Sequence, residues 1–131
     1  MITADTNLLV RIVVRDDEDQ WRRAREELAH ADGVIITTAA LCEFCWVLRS
    51  GYRYPAGQIA EAVQALTEAP NVVVDDASVR AGLDLLRAGG DFADGVIAEL
   101  GARHGSAAFV SFDRAAVRRI NAAGLVAREP A

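Results

Sequence analysis

The sequence predicts an α/β fold, a three-layer α/β/α sandwich around a mostly parallel central sheet, with residues 1-131 forming one domain. Three observations predict it. Short apolar runs alternate with stretches of helical periodicity in the order βαα-βαα-βαα-βα-β, the order produced when parallel strands are joined by helical crossovers. The 131 residues fit one domain, and a chain of that size buries about two-thirds of its unfolded surface. A hydrophobic fraction of 52% beside 25% charged residues belongs to a chain with a core, not to a disordered one.

Met1 to Ala4 reads as a short buried strand, and Asp5-Thr6-Asn7 supplies turn and cap chemistry for a helix carrying Leu8, Leu9, Ile12 and Val13. The acids Asp16 to Asp19 precede a second helix, Trp21 to His30, where negative charge suits the helix dipole. Gly33 opens the strand Val34 to Thr37. Thr38 is expected to cap a third helix running to Ser50, with Leu41, Cys45 and Leu48 at core spacing and Gly51 as its stop. Pro55 begins a fourth helix through Ile59, Val63 and Leu66, followed by the strand Asn71 to Val74. Ser78 to Ala88 is a fifth helix, Gly89-Gly90 breaks it, and Asp91 leads a sixth with Val96, Ile97 and Leu100. The run Ala107 to Phe112 is a strand ending at Asp113, and Leu125 to Ala127 completes the sheet.

Four carboxylates, Asp5, Glu43, Asp94 and Asp113, fall at strand ends or on the helices that follow. Parallel α/β sheets bind ligands at the carboxyl ends of their strands, so acids distant in sequence can act together there. Crowded carboxylates raise one another's pKa unless a countercharge is present, and Mg²⁺ or Mn²⁺, which prefer hard oxygen ligands, would provide it. Each acid taken alone has a plainer reading. Asp5 can cap the first helix, Glu43 can face solvent, Asp91 and Asp94 have the spacing of a helix-start pair, and Asp113 can open a turn with Arg114. Their joint placement at strand ends favours the metal reading.

The opening Asp5-Thr6-Asn7, the helical Leu41-Cys42-Glu43-Phe44 with Val47-Leu48, the segment Asp91-Phe92-Ala93-Asp94-Gly95-Val96-Ile97-Ala98 and the late Val110-Ser111-Phe112-Asp113-Arg114 together resemble a PIN domain, with a closest likeness to VapC-type toxins. The resemblance spans essentially the whole chain. It implies that Asp5, Glu43, Asp94 and Asp113 form the acidic pocket of a Mg²⁺- or Mn²⁺-dependent endoribonuclease, with Thr6 and Asn7 in support. Asp5 and Asp94 would be direct ligands, Glu43 a ligand or water-orienting base, and Asp113 a ligand held directly or through water. Asp91 is assigned to capping. The family's usual threonine two positions before the last aspartate is Ser111 here, which keeps a hydroxyl, and the motif after Asp113 is altered to Arg114-Ala115-Ala116-Val117. The resemblance further implies a homodimer, an RNA substrate and a small VapB-type antitoxin whose tail covers the pocket, an entering arginine replacing metal charge.

The remaining signals narrow the function classes. All fourteen basic residues are arginine, which removes mechanisms needing an ammonium or a Schiff base and argues against a receiver-type Mg²⁺ module, since receivers rely on a strand-end lysine. A binding module that keeps the PIN scaffold without chemistry has no support from a missing acid, and nothing pairs His30 with His104 for a histidine ribonuclease. Cys42 and Cys45 lie three apart in mid-helix, away from the N-terminal position that activates a redox thiol, and are read as packing residues. The apolar stretch Gly33 to Cys42 is shorter than the ~20 residues of a membrane span, and no basic-then-apolar leader opens the chain, so a cytoplasmic protein with reduced thiols is expected. Net charge is −5, which leaves RNA contact to local arginines. Arg114 beside Asp113 is the first candidate for a phosphate, and Arg49 and Arg53 with Trp46, Tyr52 and Tyr54 are a second group fitted to RNA or a protein partner.

Overall fold

The apolar runs at the start of each predicted repeat become strands of two residues each, and the helical stretches between them become seven helices. The computed structural model describes residues 1–131, and the chain divides into two compact units, Met1–Asp75 and Asp76–Ala131. The mixed α/β architecture with parallel pairing is the one the sequence predicts. No helix is long and apolar enough to cross a membrane.

The first unit runs β1 (Ile2–Thr3), α1 (Thr6–Val13), α2 (Glu18–His30), β2 (Val34–Ile35), α3 (Thr38–Ser50), α4 (Ala56–Thr67) and β3 (Val72–Val73). Its sheet is parallel in the order β1-β2-β3, with Ile2 opposite Val34 and Val34 opposite Val72. Val34 of the central strand and Ile36 just past its end are sealed from solvent. Against them the helices place Leu9 and Val10 of α1, Leu41, Phe44, Cys45 and Leu48 of α3, and Ile59, Val63 and Leu66 of α4. Each such side chain contributes about 1.5–3 kcal/mol when fully buried. The Asn71 amide donates to the carbonyls of Leu28 and Ala31, tying the end of α2 to the start of β3.

The second unit runs α5 (Asp76–Arg87), α6 (Phe92–Arg103), β4 (Phe109–Val110), α7 (Arg114–Ala122) and β5 (Ala127–Arg128). β4 and β5 are parallel, Phe109 opposite Ala127. Leu85, Ala98, Ile120 and Ala127 form its core, with Phe109, Val117 and Leu125 packed on them. The side chain of Asn121 accepts from the Ala127 N–H at 2.8 Å and donates to the Ala127 carbonyl at 3.0 Å, so an amide takes the place of a neighbouring strand beside β5.

The strands are shorter than the apolar runs suggest, because the residues after each pairing step turn at once into a helix start. The predicted strand Val34 to Thr37 ends at Ile35, and Thr37, not Thr38, is the N-cap of α3: its hydroxyl accepts from the Ala40 N–H at 3.1 Å. β4 likewise shrinks to two residues and β5 shifts to Ala127–Arg128.

α5 and α6 meet through glycine. A Cβ on Gly82 would stand 2.5 Å from the Phe92 ring, and one on Gly95 would stand 2.3 Å from the Ala81 carbonyl oxygen. A ring can shift, whereas backbone cannot, so Gly95 is the stricter requirement. Ser78 of α5, fully buried, donates to Glu99 at 3.1 Å and accepts from Arg103 at 3.0 Å, and Arg103 pairs with Glu99 at 2.9 Å. Gly95→Ala is therefore expected to cost about 3 kcal/mol in chemical denaturation. Gly57→Ala in α4, where an added Cβ meets nothing within 4 Å, is expected to gain about 0.5–1 kcal/mol from helix propensity.

Candidate active site

In the first unit the chain leaves β1 and enters α1 through Asp5. Asp5 occupies the N-cap position with extended backbone, yet its side chain makes no capping bond, and its exposed carboxylate has neither hydrogen bond nor ion pair. Glu43 projects from α3 opposite the buried Leu41, Phe44, Cys45 and Leu48, and it is equally exposed. Both acids line one cavity of about 360 Å³, together with Thr3, Thr6 and Thr37. Asp5 and Asn7 also border a larger cavity of about 600 Å³ between α1 and α2, whose wall includes Arg11, Gln20 and Arg23.

In the second unit Asp94 lies in the first turn of α6, partly buried. Burial raises its pKa first, the charges of Asp91 and Asp113 raise it further, and the Arg119 guanidinium pulls in the opposite direction. Asp91 holds the N-cap position of α6, but its side chain does not make the capping bond expected of it. Its charge bears instead on Asp94. Asp113 does cap: its Oδ1 accepts from the Ala116 N–H at 3.0 Å, while the Ser111 hydroxyl accepts from the Asp113 N–H at 3.0 Å. Ser111 thus supports the backbone that carries the acid. Arg114 is exposed and paired with Glu129 at 3.1 Å, a surface ion pair of small worth that a phosphate can displace.

Asp5 and Glu43 are brought together in the first unit, and in the second Asp91 and Asp113 both act on Asp94. Within neither unit do three Asp, Glu, His or Cys side chains gather closely enough to hold an ion by themselves. The donor chemistry fits Mg²⁺ or Mn²⁺: carboxylates and hydroxyls are hard oxygen ligands, and the raised Asp94 pKa marks negative charge that Arg119 does not fully offset. Arg119 is the residue whose electrostatic part sequence reasoning missed. The cysteines take no part. Cys45 is buried, its thiol pushed up to about 12 by burial and then by Cys42, and both thiols are free, as the packing reading expects. His30 and His104 are exposed residues at helix ends, His30 Nδ1 lying 2.8 Å from the Glu26 carbonyl oxygen.

The PIN domain family model matches residues 2–122, and the chain belongs to that family. No curated protein matches it significantly. Among solved structures, it is similar to the crystal structure of Mycobacterium tuberculosis VapC20, described as a sarcin-ricin loop cleaving toxin. The two share 20% identity over 99% of this chain and 100% of the other, with a TM-score of 0.46.

An aspartate whose pKa is raised on folding contributes stability only when protonated. That contribution is complete below the ordinary value of 3.8 and is lost as pH rises through the raised folded value. Ionised Asp94 therefore opposes folding at neutral pH. Asp94→Asn is expected to raise the melting temperature of the metal-free protein there, with the gain vanishing as pH falls below 3.8. Calorimetry across pH checks this, and a variant no more stable than wild type at neutral pH counts against charge crowding. At Asp113 cap and charge separate: Asp113→Asn keeps the cap and full stability, whereas Asp113→Ala loses about 1 kcal/mol in urea unfolding.

Proposed function

We propose that the chain is a Mg²⁺- or Mn²⁺-dependent endoribonuclease acting as the toxin of a toxin–antitoxin pair, with residues 1-131 working as one nuclease domain. The observation that carries the reading is the PIN-family match from residue 2 to 122, in a chain where Asp94 is partly buried at the start of α6 and its pKa is raised first by burial and then by Asp91 and Asp113. The toxin assignment rests on the four motifs that resemble VapC-type toxins, and with it come an antitoxin partner and a homodimer.

By the resemblance, Asp5 in the first unit and Asp94 in the second would be direct metal ligands, Glu43 a ligand or water-orienting base, and Asp113 a ligand held directly or through water. A bound divalent cation supplies the positive charge that makes a water acidic and shields a phosphodiester. The protein's own groups do the rest. Asp5 and Glu43 offer exposed carboxylates without protein partners, so neither has to break an ion pair before it binds. Glu43 accepts a proton from water in the shared cavity. Ser111 fixes the backbone of Asp113, and the cap bond to Ala116 orients its carboxylate. Arg119 partly offsets the charge of Asp94.

The test is cleavage of end-labelled structured RNA by antitoxin-free protein in Mg²⁺ or Mn²⁺, beside EDTA and an Asp94→Asn variant. Cleavage is expected in metal and is expected to fall at least a hundredfold in both controls. Cleavage that survives both would point to a histidine mechanism. Absence of cleavage by wild type over a range of RNAs, with metal binding intact, would favour a PIN scaffold that binds without cutting.

A further inference from the structure

The exposed face of α3 carries a feature that the acidic site does not use. Trp46 stands three residues beyond Glu43, about 4.5 Å further along the axis on the same side of the helix, and its side chain is 67% exposed. It is the only large hydrophobic residue on α3 left in solvent, with Glu43, Arg49 and Ser50 as its exposed neighbours on the helix. A lone aromatic ring in polar surroundings offers no contiguous apolar patch for a protein partner. It does offer a π-face, which every nucleobase can use.

Charge points the same way. From Phe44 to Ala60 the chain has no Asp or Glu, while Arg49 and Arg53 fall inside that stretch of a protein whose net charge is −5. Arg53 has φ of 56°, in the left-handed region that a residue with a side chain seldom adopts, directly after the end of α3. The turn is pinned by Tyr54 N–H donating to the Leu48 carbonyl at 3.0 Å and by the Tyr52 hydroxyl accepting from Arg11 at 3.3 Å. An arginine held where glycine would be unstrained keeps a guanidinium at the end of the helix that carries Trp46. The other tryptophan is already occupied. The guanidiniums of Arg15 and Arg25 lie 3.5 and 4.6 Å from the centre of the Trp21 ring.

We propose that Trp46 is a substrate-binding residue on which an unpaired RNA base stacks, one helical turn from Glu43, with Arg53 taking an adjoining phosphate. This deepens the ribonuclease reading and rests on it. Stacking on an indole tolerates any base and demands that the base be out of a duplex, which makes Trp46 a selector for single-stranded RNA.

The test titrates single-stranded oligoadenylate into the full chain carrying Asp94→Asn, in Mg²⁺, following indole fluorescence, with Trp46→Phe and Trp46→Ala each added to that background. The parent is expected to show quenching on binding. Trp46→Phe should lose the quenching yet bind within about threefold of the parent, because phenylalanine also stacks, and Trp46→Ala should bind about tenfold more weakly. One affinity for all three proteins overturns the proposal, as does failure of the parent to bind oligoadenylate. It is overturned too if Trp46→Ala leaves RNA affinity intact and weakens antitoxin binding or self-association, which would make Trp46 a protein contact. None of these readouts involves cutting, so a failure of the ribonuclease reading is seen separately, as wild-type protein that binds RNA and never cleaves it.

Discussion

Every helix begins with backbone N–H groups that no earlier turn can satisfy, and in a chain whose strands are only two residues long that requirement falls immediately after each strand. The residue at the junction must end the pairing and start the helix together. Short oxygen-bearing side chains do this best: Asp5, Thr37 and Asp113 stand at N-cap positions after strands, and Asp17 and Asp91 hold the same position where one helix follows another. Asp17 and Thr37 bond to the N–H groups of Gln20 and Ala40 and go no further. Asp5 and Asp91 hold the same position without the capping bond, and Asp113 makes it with one oxygen only. The helix-start constraint thus brings Asp5 and Asp113 to the strand ends, and Asp5 spends no oxygen on capping.

The same placement creates an electrostatic problem. Asp94 is partly buried, which raises its pKa first, and the charges of Asp91 and Asp113 raise it further. Arg119 opposes the effect without removing it. A lysine near these acids would give a compact, strongly hydrated charge, but the chain has none, and a guanidinium spreads its charge over a wider plane. Incomplete neutralisation is compatible with a site built for a divalent cation, since an arginine that fully satisfied the acids would compete with the metal.

Much of this was legible in the sequence because it rests on local rules. The order of strands and helices followed from periodicity and turn residues, and all seven helices lie where that order puts them. The strand lengths did not follow, since an apolar residue such as Ile36 looks the same whether it lies in a ladder or just past its end. Thr37 and Thr38 are chemically equal cap candidates, and only the backbone decides between them. Asp91 was read as a cap from its spacing alone, and spacing cannot tell whether an oxygen reaches an N–H. Nor could it reveal the Asn121 amide standing in for a strand beside β5, because that bond depends on how α7 returns to the sheet. The four acids proposed for the site were legible as residue types, Asp5 and Asp113 at strand ends and Glu43 and Asp94 on helices. The electrostatic part of Arg119 was not, since it arises from the folding of α7 in the second unit.

Positioning of Asp94 comes from backbone packing more than from bonds to its carboxylate. The next residue, Gly95, has no room for a Cβ against the Ala81 carbonyl, and one turn earlier Phe92 fills the space above Gly82. These contacts fix the rotation of α6 about its axis and its distance from α5. The Ser78–Glu99–Arg103 group then locks the far turn of the same pair of helices. A carboxylate aimed by its own hydrogen bonds would lose lone pairs to the protein, and one on a loose helix would wander by more than metal coordination tolerates. Aiming it through the helix on which it sits avoids both: the packing at Gly95 and the bonds of Ser78 place Asp94 without drawing on its oxygens, as the proposed metal role requires.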